Sequence, residues 1–355
     1  MHAPTVAIYF VRAATLHLAD QPDVLQHVLR KNHIPPTLLE KEYARVPGED
    51  FSNLLRDTML ITQDEQLGHA AVAQPLGSWQ TVTQLTINAP HLGEALRRFA
   101  RFYRLLPWGV ATRLVEEGNN ARFVMESTSD KVFSNYLYES FLFYVSRYSN
   151  WLINKQIPLI SAGFNFPPSP QRAEYRNLFL TSHFEFNQRC CYISFPRRYL
   201  QEPIRQSPDN LKKFLEHTNL AMVAQHYRHK NWRTQVQQIL LNNLARSPGI
   251  AEIASTLSVH PHTLRARLRD EGVKFREIRD QLRCEVAIDL LRQQRCTVEE
   301  TANRLGYSET SAFSRAFKSW MGVSPYKYQN YRAEDESGEE NNAAEGERPG
   351  FRLAP

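Results

Sequence analysis

Cysteine is scarce, with four in 355 residues. Cys190 and Cys191 are adjacent, and Cys284 and Cys296 stand far from them. That arrangement offers neither a disulfide framework nor a zinc-ligand spacing. The four read as small buried thiols in a reducing compartment. Long apolar runs are also missing. No segment approaches the roughly 18 residues that span a bilayer. No Lys or Arg precedes the first apolar run, in MHAPTVAIYFVRAATLHLAD, so a secretory leader is not expected and a cytoplasmic protein is. There is no Gly-rich phosphate loop and no Gly-x-Ser-x-Gly nucleophile elbow. His260 and His262 flank a proline without a Cys or carboxylate at ligand spacing. His226 and His229 share a helix face without the Glu that hydrolysis needs. No catalytic residue, metal or cofactor is therefore expected, and the chain does not read as an enzyme.

What is present is ample apolar content, 42%, enough for packed cores in two or three domains. The net charge of +6 is unevenly spread. Residues 333–355 hold seven acids and two arginines, whereas residues 229–332 hold 17 Lys/Arg against 10 Asp/Glu. A basic segment followed by an acidic tail favours a polyanionic partner. The tail is Glu-, Asn- and Gly-rich, which predicts disorder and an aid to solubility.

The first two hundred residues mix patterns. Residues 23–29 and the stretch PPTLLEKEYARVPGEDFSNLLRDTMLIT predict short helices broken at Pro35, Pro36 and Pro47. In HLGEALRRFARFYRLL, Leu92, Leu96, Phe99, Tyr103 and Leu106 fall on one helical face. VATRLVEEGNNARFVMES alternates about Gly118, Asn119 and Asn120, the pattern of a hairpin. Residues 132–153 are aromatic at helical spacing and predict a buried helix. Phe141 to Trp151, with Trp79, Phe102, Tyr103 and Trp108, belong either to a core or to an effector pocket. PLISAGFNFPPSP and EFNQRCCYISFP predict strands. An α+β domain thus runs over residues 1–205, and a helical connector over 206–231.

Residues 232–332 read as helix after helix, and one unit occurs twice. In TVEETANRLGYSETSAFSRAFKSWMGVSP, Thr297 and Glu300 form a capping box. Ala302 and Leu305 face inward, Gly306 suits a left-handed helix end, and Ser308 is placed to cap the next helix. That helix turns Ala312, Phe313, Ala316, Phe317 and Trp320 inward. It turns Thr310, Ser311, Ser314, Arg315 and Lys318 outward, a set able to meet base edges and phosphates. The stretch GIAEIASTLSVHPHTLRARLRDEG repeats the logic 48 residues earlier, matching Ala254 to Ala302 and Leu257 to Leu305. Leu264 and Leu268 point inward; His262, Thr263, Arg265 and Arg269 point outward. Between the copies, Phe275–Arg292 predicts a helix roughly 27 Å long. That suits two recognition helices in adjacent major grooves about 34 Å apart.

The residues IAEIASTLSVHPHTLRARLRDEG, REIRDQLRCEVAIDLL and TVEETANRLGYSETSAFSRAFKSWMGVSPYKYQ resemble the AraC/XylS family of bacterial transcription regulators. IPPTLLEKEYARVP, LGEALRRFARFYRLL and LVEEGNNARFVME are similar to its arabinose-binding type of N-terminal domain. The resemblance covers nearly the whole chain before residue 333. It implies an α+β N-terminal sensor domain followed by an all-α C-terminal domain with two helix-turn-helix motifs joined by a linker helix. It further implies a homodimer on double-stranded DNA, a small-molecule effector in the N-terminal domain, and activation through RNA polymerase. The family's base-reading positions fall on His262, Arg265 and Ala266 in the first recognition helix, and on Thr310, Ser311, Ser314 and Arg315 in the second. Ala266 departs from the Arg common there, and Ser258 and His260 replace the turn glycine and the Ser cap. The first departure removes a base contact; the other two bear on the first turn's geometry.

Two alternatives are a ligand-independent dimeric regulator and an alkyl-transfer DNA-repair enzyme. The second needs an activated cysteine with a metal cluster, for which Cys190 and Cys191 lack neighbours.

Overall fold

The computed structural model describes residues 5–41, 44–168, 172–223, 232–271, 273–292 and 296–329. The expectations for His226 and His229 and for residues 333–355 lie outside the described residues.

β1 (Thr5–Ala7) leads into α1 (Ile8–Ala14) and α2 (Pro22–Lys31), and pairs antiparallel with β2 (Arg45–Pro47). β2 corrects the reading of this region as helices alone. Next come α3 (Gly48–Thr62), α4 (Ser78–Thr86) and α5 (Leu92–Leu105), then the expected hairpin of β3 (Val110–Glu117) and β4 (Asn120–Ser127). Gly118, at φ 56°, makes the tight turn. α6 (Asn135–Ile153) starts later than residue 132, because the Ser134 hydroxyl accepts from Leu137 N and fixes the start there. β5 (Ser161–Gly163), α7 (Arg172–Phe179), β6 (Phe184–Glu185) and β7 (Cys191–Pro196) follow. They complete a five-stranded sheet in the order β3-β4-β7-β5-β6, antiparallel except for β5 with β6. α5 packs on β3 and α6 on β7, so Phe99, Tyr103, Phe123 and Phe141 meet between helices and sheet. α8 (Pro208–Glu216) and α9 (Thr218–Val223) continue from the sheet.

The remaining elements are helical: α10 (Trp232–Asn242), α11 (Ile250–Thr256), α12 (Pro261–Asp270), α13 (Phe275–Arg292), α14 (Val298–Arg304) and α15 (Thr310–Met321). The two turns that aim α12 and α15 are closed identically. Val259 N donates to Ala254 O at 2.9 Å, and Tyr307 N donates to Ala302 O at 2.9 Å. Ser258 and Gly306 occupy the left-handed position, at φ 55° and 77°. The loss of glycine from the first copy therefore leaves the turn intact. What differs is the surroundings. A Cβ on Gly306 would stand 2.0 Å from the Ala245 carbonyl oxygen, so only glycine fits. Ser258 is exposed and accepts the left-handed strain, about 1–2 kcal/mol.

Buried apolar side chains form two clusters that do not follow a linear split of the chain. One spans 82–222 and holds the sheet. The other joins residues 6–67 and Tyr136 to residues 236–323. At this shared core, Arg292 at the end of α13 reaches Asp50 in the first turn of α3 at 2.6 Å. Asp50 is 1% exposed. Arg45 of β2 binds Glu174 of α7 at 2.7 Å and donates to Thr5 at 2.9 Å. β2 also lies against α15.

Two stability tests follow. Ser258→Gly should raise the urea midpoint by the equivalent of up to about 1 kcal/mol, and Gly306→Ala should lower it by about 2 kcal/mol or more. Equal effects would deny the difference between the two turns. Asp50→Ala should cost about 2 kcal/mol or more, because it breaks a short ion pair whose carboxylate is buried. A loss below about 1 kcal/mol in urea unfolding would place that pair in effective solvent contact.

Candidate nucleic-acid interface

Each recognition helix is fixed from behind. Leu264 and Leu268 anchor α12, and Phe313 and Phe317 anchor α15, all essentially fully buried. Ala312, Ala316 and Trp320 are half-buried. Anchoring at a 3.6-residue period leaves the opposite face outward. On α12 that face carries His262, Thr263, Arg265 and Arg269, all exposed. On α15, Ser311, Arg315 and Lys318 are exposed, whereas Thr310 and Ser314 are half-buried. Arg265, Arg269, Arg315 and Lys318 make no ion pair among the described residues. Their charge is thus available to a polyanion without breaking an internal contact. Arg267 is exposed as well, a further α12 cation outside the set expected from the sequence.

The caps depart from expectation in one copy. The Thr297–Glu300 capping box is present, with Thr297 N donating to Glu300 at 2.7 Å and Glu300 N to Thr297 at 3.1 Å. The His260 Nδ1 accepts from His262 N at 3.3 Å, so histidine substitutes for the absent Ser. Ser308 does not cap α15. The helix starts one residue later, after extended Glu309, and no side chain caps it. An uncapped helix N-terminus presents its amides and positive dipole end outward, where a phosphate is favourable.

α13 holds the two units together. It packs on α10, α14 and α15. The Arg283 guanidinium lies 4.9 Å over the Tyr307 ring, which ties α13 to the second turn. Beyond α15, Gln329 donates to the Cys296 carbonyl at 2.7 Å, and Tyr328 packs edge-on against Phe317.

Behind this surface lies a cavity of about 180 Å³ whose walls come from both ends of the chain. Arg45, Glu139 and Glu174 approach it from one side, Arg233 and Glu285 from the other. Burial pushes the Glu139 and Glu285 carboxyls up to about 7. Hydrogen bonds from Tyr175 and Tyr9 to Glu139, and from Gln281 to Glu285, act in the opposite direction. Sequence patterning offered no route to this set. Its members sit on five different elements, and each looks locally like an ordinary surface charge. No group of His, Cys, Asp and Glu among the described residues is arranged to hold a metal. No described helix is long and apolar enough to cross a membrane.

Two family models match the chain. The arabinose-binding domain of AraC transcription regulators, N-terminal, covers residues 25–204, and a helix-turn-helix domain covers residues 253–331. A helix-turn-helix-type transcriptional regulator of Mycobacterium tuberculosis is 35% identical over 38% of this chain, an alignment that spans only 40% of that relative's length. The ornithine utilization regulator of Pseudomonas aeruginosa is 23% identical over 83% of this chain and 87% of its own. Among solved structures, the transcriptional regulator CdpR from Pseudomonas aeruginosa is 21% identical, covering 86% of this chain and 96% of its own with a TM-score of 0.32. The matched families and relatives are transcription regulators rather than enzymes. With half the chain in the first model and the double helix-turn-helix in the second, the chain belongs to the AraC family of DNA-binding transcription regulators.

Proposed function

We propose that this regulator activates a bacterial operon from the cytoplasm, as a homodimer acting on RNA polymerase, under control of a small molecule held in its N-terminal domain. In this reading residues 1–205 sense and dimerise, 206–231 connect, and 232–332 bind DNA. Base edges are met by His262, Thr263, Arg265, Thr310, Ser311, Ser314 and Arg315. Arg269 and Lys318 meet phosphate. Each monomer occupies two adjacent major grooves through α12 and α15.

The observation that carries effector control is the shared core. Residues 6–67 are packed into the same apolar cluster as α13 and the helix-turn-helix units. A ligand that changes how α3 and α6 sit therefore changes the support beneath α13. The ligand acts through its different affinity for the two arrangements, and the coupling is reciprocal. A purely dimerising N-terminal domain would have no need of such contact with α13.

The DNA assignment is tested by footprinting and gel shift on the intergenic DNA beside the gene. Arg315→Ala should weaken the specific site by roughly 1–3 kcal/mol and relax its sequence preference. Lys318→Ala should weaken all sequences alike and shrink the salt dependence by about one counterion. Unaltered specific binding in Arg315→Ala would remove α15 from base reading.

A further inference from the structure

A second cavity, about 270 Å³, lies wholly within residues 55–219. It is walled by α3, α4, α5, α6 and the segment from α8 to α9, with aromatic side chains from Trp79, Phe99, Tyr103, Phe141 and Tyr144. Its volume sits just below the range usual for drug-sized ligands, which points to a small one.

The polar groups around it are incomplete. The Glu65 carboxylate accepts from Gly77 N at 2.7 Å through one oxygen and from Trp79 N at 2.8 Å through the other. The Ser78 N–H adds a third backbone contact, so of the roughly four lone-pair sites of a carboxylate about one is left over. Among the described residues Glu65 is the only charged one in the lining, and no Lys, Arg or His stands there to balance it. Burial raises the carboxyl, against those backbone hydrogen bonds, and neighbouring Asp64 raises it further. The Trp79 indole N–H is buried with no acceptor among the described residues, as is that of Trp108, which lies outside this lining. The Tyr103 hydroxyl makes no hydrogen bond among the described residues. Trp79 stands edge-on to Phe99, Tyr144 and Tyr148 at 5.4–6.0 Å, which holds its ring in place.

We propose that this cavity binds a small organic ammonium ion, with its charge beside Glu65 and against the aromatic faces, and an oxygen on the ligand accepting the Trp79 N–H. An anion is disfavoured by the same features, since it would meet a carboxylate with no Lys, Arg or His among the described lining residues. An aromatic lining attracts cations through the ring quadrupole, and desolvation strengthens that attraction. The oxygen completes the Trp79 donor, which is the buried atom of this lining without a partner among the described residues.

The inference rests on the effector reading above and names its ligand class. Leu55, Tyr136, Ser140 and Tyr144 line both cavities. An occupant of the second cavity therefore presses on the wall that the first shares with Arg233 and Glu285.

The test is tryptophan fluorescence of the full chain titrated with choline chloride and with n-butylammonium chloride, at ionic strength held constant by NaCl. The neutral choline isostere 3,3-dimethyl-1-butanol and sodium butyrate serve as comparators. The expected result is a saturable change with either cation that is absent in Trp79→Phe. The alcohol should bind at least tenfold more weakly than choline. Glu65→Gln should weaken choline at least tenfold and leave the alcohol unchanged. Because Glu65 also holds the start of α4, unfolding of that variant is checked by circular dichroism, and the choline-to-alcohol ratio in the natural sequence decides the matter without it. Saturable binding of butyrate alone, equal affinity for choline and the alcohol, or no saturable response to either cation overturns the proposal. Cation binding that leaves operator affinity unchanged keeps the site and overturns effector control. An operator response to some other compound, without cation binding, does the reverse.

Discussion

The burial of α13 on more than one face is the constraint on which the other features depend. Residues 284 to 288 are all buried in succession, which no one-sided surface helix allows. One side carries the helix-turn-helix units, with Cys284 against Met321 of α15 at 3.5 Å. Another side belongs to the shared core and to the charges around Arg45. The helix end is fixed by Arg292 on Asp50, 242 residues away in sequence. An 18-residue helix held this way acts as a strut. It lies between α12 and α15 in the chain, and its end is tied to the N-terminal region through Asp50.

The DNA-facing half was largely legible because its determinants are local. A capping box, a left-handed residue after a short helix, and apolar residues at a 3.6-residue period all lie within about thirty positions of each other. The repeat at an offset of 48 made the weaker copy readable from the stronger one. The hairpin about Gly118 was legible for the same reason. Ser308 was misread because two consecutive polar residues, Ser308 and Glu309, both suit a helix start, and only backbone geometry separates them. β2 was missed because three residues are too few to show alternation.

The meeting of the two ends of the chain was not legible. Asp50 looks like an acid in a helix's first turn, and Arg292 like a base in a last turn, each sufficient for a local dipole role. Nothing in either pattern says that they touch. The aromatic residues of α4, α5 and α6 pose a related problem. Periodicity reports that Phe99, Tyr103, Phe141 and Tyr144 turn away from water, but a core and a cavity wall give the same period. The distinction lies in partners. Trp108 is fully buried and Trp79 half-buried, and the second lines the cavity beside Glu65.

The two cavities differ in a way that assigns them different work. The one between the ends of the chain has balanced charge, with Arg45, Arg147 and Arg233 among Glu139, Glu174 and Glu285. Such a set is satisfied internally, and disturbing it costs the desolvation already compensated by pairing. The other has one acid and no base. A balanced polar network holds one arrangement and resists change; an unbalanced one is stabilised by an added charge. With Tyr136 and Tyr144 on the partition, occupation of the second can move the walls of the first. The first touches α13 through Gln281 and Glu285. Under the proposed effector control, binding energy at one aromatic cavity would reach the recognition helices through α13, and no change in the DNA-reading side chains would be needed.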